Sequence, residues 1–131
     1  YWLATAPDLM KLVLAVDGFD YNDDILTESS IELMTDVNNN ISPLGWKTTL
    51  ENGTWIRTGS FAGTAAMIKR QPDGLTWIVL LNSSAWNGPG IHTYINRMMA
   101  SMVSQISDWP EYNLFDNTLP VPIRFELTGI Y

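Results

Sequence analysis

The residues best suited to chemistry lie in one short segment, Trp55–Thr64, where an arginine, hydroxyl residues and two glycines follow an apolar start. A main-chain N–H beside a glycine can donate to an oxyanion, because glycine lets a ligand come close. Arg57 can neutralise a carboxylate with its planar guanidinium group, and Thr58 and Ser60 add hydroxyls. We expect a strand to end here in the Gly59–Gly63 link. By itself, a strand followed by Thr-Gly-Ser is more often an ordinary turn than a catalytic site.

Several further motifs accompany this segment in a defined order. They are Ala4–Leu9 leading into a helix, Ile25–Thr27, Leu44–Trp46, Arg57–Ser60, Gly63–Thr64, Pro72–Trp77 and Leu80–Asn82. Each motif is common, but their order and spacing together resemble the C-terminal half of the serine β-lactamase-related family. That family includes class C β-lactamases, D-alanyl-D-alanine carboxypeptidases and related esterases. The resemblance covers about residues 1–109 and implies part of a β-lactamase/transpeptidase-like fold.

The resemblance assigns roles to four residues. The family has a Lys-Thr-Gly or His-Thr-Gly motif on the strand that lines its active site, and Arg57, Thr58 and Gly59 occupy that motif here. Arg57 keeps the positive charge but stays protonated, so it cannot act as a titrating group. Together with Thr58 it would hold a substrate carboxylate. The backbone N–H of Ser60 would form half of the oxyanion hole, and no metal or other cofactor is expected.

The nucleophile of the family is missing from this chain. Such hydrolases use Ser-x-x-Lys, in which the lysine helps to remove the serine proton, and no Ser-x-x-Lys occurs here. The family's second motif is Tyr-x-Asn or Ser-x-Asn. Only Tyr94-Ile95-Asn96 matches its letters, and this match is interpreted as chance because it lies on an apolar helix after the Thr-Gly strand. Both motifs would lie upstream of Tyr1, where the chain starts abruptly. We therefore expect the C-terminal fragment of a hydrolase of amides or esters, inactive alone.

This interpretation has consequences for partners and location. The fragment would pack against the missing N-terminal half of its domain, and the complete protein would act on a small acyl substrate. The resemblance implies a periplasmic or other extracytoplasmic location. An exposed apolar sheet surface could also be hidden in a homo-oligomer. Two alternatives stay open: a non-catalytic binding or assembly module on the same fold, and a different small α+β domain that shares the motifs by chance.

The composition excludes several other classes of protein. The formal net charge is −7 and the seven Lys and Arg residues are scattered, which argues against nucleic acid and anionic membranes as partners. The absence of cysteine excludes disulfides and thiolate metal sites. His92 is the only histidine, so a His-rich metal site is excluded, and we interpret His92 as a surface or capping residue. The spacing of Asp23 and Asp24 does not fit an EF-hand loop.

The hydrophobic periodicity predicts one α+β domain over residues 1–110 and a tail over 111–131. We expect an antiparallel meander of three to four strands, packed by a long C-terminal helix and preceded by two helices. The segments are a well-buried helix from Thr5 to Val16 that stops at Gly18, and a helix from Thr27 to Val37. They continue with strands Gly45–Leu50, Thr54–Thr58, Thr64–Gln71 and Leu75–Leu81, and a helix from Ile91 that Trp109-Pro110 ends. Asn52-Gly53 and Asp73-Gly74 are hairpin signals.

Three details of this prediction concern packing. Trp77–Leu81 is apolar without alternation and should lie inside the sheet, covered on both faces. The long helix carries a methionine-rich apolar stripe, which we interpret as core in preference to an adaptable binding surface. The stripe consists of Ile91, Tyr94, Ile95, Met98, Met99, Met102, Val103 and Ile106. Ile123–Leu127 is expected to form a short edge strand in the tail.

Overall fold

The computed structural model describes residues 3–36, 42–83 and 90–112 and has an α+β fold. These residues form three helices and one four-stranded antiparallel sheet in the order β1-β2-β3-β4, which is a meander. The predicted fold class is therefore confirmed. In chain order the elements are α1 (Ala6–Leu14), α2 (Glu28–Thr35), β1 (Thr48–Thr49), β2 (Trp55–Phe61), β3 (Thr64–Arg70), β4 (Thr76–Leu81) and α3 (Ile91–Val103).

Local hydrogen bonds fix the starts of the first two helices where the sequence predicts them. Thr5 caps α1 through a capping box: its hydroxyl accepts from the Asp8 N–H, and the Asp8 carboxylate accepts from the Thr5 N–H. The bond from the Thr5 hydroxyl to Asp8 Oδ2, 2.7 Å long, also lowers the pKa of Asp8. Thr27 caps α2 by accepting from the Ser30 N–H. Both caps satisfy N–H groups that a helix start leaves unpaired.

Each turn of the meander contains a glycine with a positive φ angle. Gly53, Gly63 and Gly74 have φ angles of 81°, 80° and 88°, a region in which other residues are strained. The side chains of Asn52 and Asp73 accept from main-chain N–H groups two residues on, as expected for Asx turns. The Asn-Gly and Asp-Gly hairpins are therefore confirmed.

The predicted link at Gly59–Gly63 is wrong. β2 continues to Phe61, and a two-residue turn of Ala62 and Gly63 returns the chain to Thr64. Gly59 pairs with Ala66 inside the strand, whereas Gly63, which has a positive φ, lies in the turn. The candidate segment is thus regular sheet and not a loop.

Helices cover both faces of the sheet. On one face, Trp55, Ile68 and Ile78 pack against α1 and α2 in a core that contains buried Val13 and Ile31. The opposite face packs against α3 through the core residues Met67, Trp77 and Ile95, joined by Ile56, Val79, Leu81, Ile91 and Met99. Alternation along each strand therefore divides the sheet into an α1/α2 face and an α3 face.

Several element bounds and burial patterns differ from the prediction. β1 is only two residues long, α1 ends at Leu14 and leaves Leu12 55% exposed, and α3 ends at Val103 before Trp109. β4 pairs with β3 alone among the described residues, so it is a terminal strand of this sheet. Side chains of β4 pack against helices on both faces of the sheet, which explains why its sequence is apolar without alternation. Leu80 is nevertheless 42% exposed.

The apolar stripe of α3 is also divided between two sides of the helix. Ile91, Ile95 and Met99 face the sheet, as predicted, whereas Tyr94 and Met98 are 71% and 49% exposed, together with Met102 at 54%. An eight-residue stripe is wider than the surface that a single sheet face can cover.

None of the helices in the described ranges could span a membrane. The predictions for Val37 and for Ile123–Leu127 lie outside the described residues.

Candidate functional site

The four residues that the sequence singles out lie consecutively in the second half of β2. Arg57 and Gly59 share the α1/α2 face with Trp55, and Thr58 and Ser60 share the α3 face with Ile56, because side chains alternate along a strand. The register confirms this, since Arg57 is opposite Ile68 and Thr58 is opposite Met67. The side chains of Arg57 and Thr58 therefore leave the strand on opposite faces.

The outer edge of β2 is open along the candidate segment. β1 pairs only with Trp55 and Ile56, and no other described strand pairs with this edge beyond Ile56. Ile56 faces β1 with its carbonyl, which accepts from Lys47 N–H at 2.9 Å. Main-chain groups of alternate residues face the same edge, so those of Thr58 and Ser60 face the open edge. The Ser60 N–H is accordingly placed where a ligand can reach it.

The hairpin turn supports the same orientation independently. Phe61 and Thr64 close a two-residue turn, and such closing pairs exchange both of their main-chain hydrogen bonds. Phe61 therefore faces β3 with its N–H and C=O, and Gly59, two residues before it, faces β3 as well. The peptide between Gly59 and Ser60 consequently has its C=O toward β3 and its N–H toward the open edge.

Gly59 keeps the surface above the strand clear. It has no positive φ, so the backbone does not require glycine here. A β-carbon added at Gly59 would meet only the β-carbon of Ala66, at an ordinary contact distance of 4.0 Å. Glycine in a strand interior weakens the strand and often marks a bulge, a tight bend or a close approach of a ligand or another backbone. The backbone conformation and the space around Gly59 therefore do not explain why this residue is glycine.

The polar side chains of the segment are available for binding. Arg57 and Ser60 are exposed and Thr58 is half-buried. The described part of the chain provides no hydrogen-bond partner for any of these three side chains. An exposed guanidinium and two hydroxyls beside an open N–H are groups that can bind a carboxylate or an oxyanion.

An apolar groove lies at the hairpin end of the same segment. Its volume is about 400 Å³. Phe61 and Leu80 are its large exposed side chains, with 81% and 42% of their surface accessible. The groove is lined by Gly59, Ser60, Phe61, Thr64, Ala65, Ala66, Leu80 and Leu81, and we call these residues the hairpin groove. A polar edge thus adjoins an apolar surface, as in many sites for small organic ligands.

His92, interpreted from the sequence as a surface or capping residue, contacts the candidate segment. It is half-buried at the start of α3, and its Nε2 lies 3.1 Å from the carbonyl oxygen of Gly59. Since a carbonyl oxygen can only accept, His92 donates through Nε2–H. No signal in the sequence relates the two residues, because they are 33 positions apart and become neighbours only when α3 packs on β3.

A second cavity, of about 550 Å³, lies between α2 and the loop after α1. Among the residues that line it are five acidic ones, Asp20, Asp23, Asp24, Glu28 and Glu32. Within the described ranges, however, no three Asp, Glu, His or Cys side chains are grouped as a metal site would need. The cavity therefore has acidic walls without the geometry of a metal centre.

The floor of this acidic cavity is a buried structural cluster around Arg70, which is 7% exposed. Its guanidinium donates to the carbonyl of Asp17 twice, at 2.7 and 3.1 Å, and to that of Gly53 at 3.0 Å. It also stacks on the rings of Phe19 and Trp55, 3.8 and 4.1 Å from their centroids. These contacts join β3 to the loop after α1 and to the turn at Gly53.

Burial changes the proton affinity of this cluster. Asp17 is fully buried, and its burial raises the pKa of its carboxyl even though the Phe19 N–H and the Tyr21 hydroxyl donate to it. Burial likewise lowers the pKa of Arg70. The Tyr21 hydroxyl contacts Asp17 at 3.2 Å, and burial together with that carboxylate raises the pKa of Tyr21 to about 12.

Comparison with known proteins gives no assignment. No protein-family description, no curated protein and no solved structure matches this chain. The resemblance to the serine β-lactamase-related hydrolases therefore stays a prediction from the order of the sequence motifs.

Proposed function

We propose that this chain forms one wall of the catalytic cleft of a serine hydrolase that acts on an amide or ester through an acyl-enzyme. The Ser60 N–H would donate to the oxyanion of the reacting carbonyl. Thr58, on the same face of β2 as Ser60, would bind a carboxylate of the substrate, and Arg57 would supply positive charge from the opposite face. The nucleophilic serine and its lysine would come from a part of the protein that precedes Tyr1, so residues 1–131 alone would be inactive.

The observation that carries the proposal is the open edge of β2 at Thr58 and Ser60. In a reaction cleft, the oxyanion donor must keep its N–H free of protein acceptors until the substrate arrives. No strand in the described ranges pairs with Ser60 on the open edge, and the pairing of β2 with β3 fixes its position, which supports this role. Gly59 beside it leaves the approach clear, and the exposed Arg57 supplies the charge.

The decisive experiment uses the longer gene product. The coding sequence upstream of Tyr1 should contain Ser-x-x-Lys followed by Tyr-x-Asn, and the longer protein should hydrolyse p-nitrophenyl acetate or a chromogenic β-lactam. Thr58→Val and Gly59→Val should lower kcat/KM about tenfold or more, because each disturbs the substrate-binding edge. Ser60→Ala, which keeps the N–H, is the matched control and should retain activity. Lack of the upstream motifs would contradict the proposal, as would turnover by residues 1–131 alone.

The second candidate function is a non-catalytic assembly module, because the exposed apolar surface that a hydrolase fragment would turn toward its missing half can equally bind another protein. Phe61 and Leu80 in the hairpin groove, and Tyr94, Met98 and Met102 on α3, are large apolar side chains in contact with solvent. Such patches often mark protein–protein interfaces. Sedimentation velocity separates the two functions when it is combined with the upstream sequence. A stable oligomer of a gene product without Ser-x-x-Lys would favour assembly over hydrolysis.

A further inference from the structure

The contact between His92 and Gly59 reaches the peptide group on which the proposed function depends. The Gly59 carbonyl, which accepts from His92 Nε2–H at 3.1 Å, belongs to the same planar amide as the Ser60 N–H. The two ends of that amide point in opposite directions, the C=O toward β3 and the N–H toward the open edge. A hydrogen bond at one end therefore fixes the plane and the direction of the other.

We infer that His92 is a positioning residue for the oxyanion donor, an inference that rests on the proposed function. A hydrogen bond donated to a carbonyl polarises its amide and makes the N–H of that amide a stronger donor, the basis of cooperativity in hydrogen-bond chains. The Gly59 oxygen has two lone pairs, so it can accept from β3 and from His92 together. His92 belongs to α3, which packs on β3, and its Nε2 contacts the carbonyl end of the amide, which faces away from the open edge.

The fold makes this contact well suited to hold the amide. Among the described strands, only β3 pairs with the segment of β2 beyond Ile56, and glycine is the residue with the most backbone freedom. Without a second anchor, the Gly59–Ser60 amide would be held by β3 alone. His92 adds that anchor from the first turn of α3, two residues after the N-cap Gly90. The buried side chain of Ile95 packs the same helix onto the sheet.

Two substitutions separate positioning from simple packing. His92→Gln keeps an N–H donor at about the same reach, and His92→Phe keeps a ring of similar shape without a donor. Thr93→Val, at the exposed neighbouring position, is the matched control. In NMR spectra of the free protein, His92→Phe should move the Gly59 carbonyl carbon and the Ser60 amide nitrogen upfield, and His92→Gln should restore most of the shift. Shifts in His92→Phe no larger than those in Thr93→Val would overturn the inference.

Binding of a probe separates this inference from the proposed function. N-acetyl-D-alanyl-D-alanine carries a carboxylate and acyl carbonyls, and titration with it should move the Ser60 N–H resonance of the wild-type chain. His92→Phe should bind the probe about threefold more weakly, and His92→Gln should bind it as the wild type does. A wild-type Ser60 resonance that does not respond contradicts the proposed function, while the shifts of the free protein still decide whether His92 orients the amide. Equal affinity in His92→Phe contradicts the role of His92.

Discussion

Replacing Arg70 by methionine tests whether its buried cluster holds the loop after α1 to the sheet. Methionine keeps most of the aliphatic volume but removes three N–H···O bonds and both ring contacts. The carbonyls of Asp17 and Gly53 then lose their charged donor, and each buried carbonyl without a partner costs about 1–3 kcal/mol. Relief of the desolvated guanidinium offsets part of that sum. We expect a net loss of about 3 kcal/mol.

Urea unfolding followed by tryptophan fluorescence measures this loss, because Trp55 stacks directly on Arg70. For a domain of this length, about 3 kcal/mol corresponds to a fall of roughly 10 °C in Tm. Arg70→Lys keeps the charge without the planar fork and should lose about half as much. Arg57→Met is the matched control, since Arg57 is exposed in the neighbouring strand and its loss should change stability by less than about 0.5 kcal/mol.

The reasoning would be refuted if Arg70→Met cost less than about 1 kcal/mol, or no more than Arg57→Met. Either result would mean that water or a shift of the loop satisfies the two carbonyls as well as the guanidinium does. An equal loss in Arg70→Lys and Arg70→Met would instead assign the stability to the fork geometry and the stacking, and not to the charge.

Three further predictions use other parts of the chain. The difference in absorbance at 295 nm between wild type and Tyr21→Phe should titrate at about 12. Since an unfolded tyrosine loses its proton near 10.0, stability supplied by Tyr21 is complete below pH 10 and is lost between 10 and 12, and Tyr21→Phe should lack that loss. Thr5→Ala should destabilise the protein by about 1 kcal/mol in thermal unfolding, because the capping box with Asp8 is lost. Phe61→Ser should leave stability within about 0.5 kcal/mol and reduce self-association in sedimentation velocity, because Phe61 is 81% exposed; unchanged association would exclude the hairpin groove as the interface.

Structural features that depend on residues close together in the sequence could be predicted. The caps at Thr5 and Thr27 and the turns at Gly53 and Gly74 each involve side chains and main-chain groups within a few positions. The position of Gly59 was not accessible in this way. A glycine after Thr58 looks like a turn, and only the tighter turn at Gly63 shows that the strand continues.

Features that depend on distant residues escaped sequence reasoning. Arg70 bonds to Asp17 across 53 positions, and neither residue belongs to a motif. The same holds for His92 and Gly59. The division of the α3 stripe was missed because an all-apolar helix surface does not indicate how much of it the sheet will cover; the exposed Met98 shows that the sheet covers only part. Contacts between residues far apart in the chain therefore determined these features, and the hydrophobic periodicity of the sequence does not reveal such contacts.

The glycine at position 59 supports the proposal that this edge of β2 binds a substrate. Protein sheets protect free edges with charges, prolines or bulges, and the exposed Arg57 would serve that purpose in any protein. A glycine inside a strand costs about 0.5–1 kcal/mol relative to alanine, and neither a positive φ nor a steric conflict requires it here. An edge that only needed protection would be more stable with a side chain at that position. The cost is explained if another molecule must lie against the Gly59–Ser60 amide, whose N–H faces outward and whose C=O is held by His92.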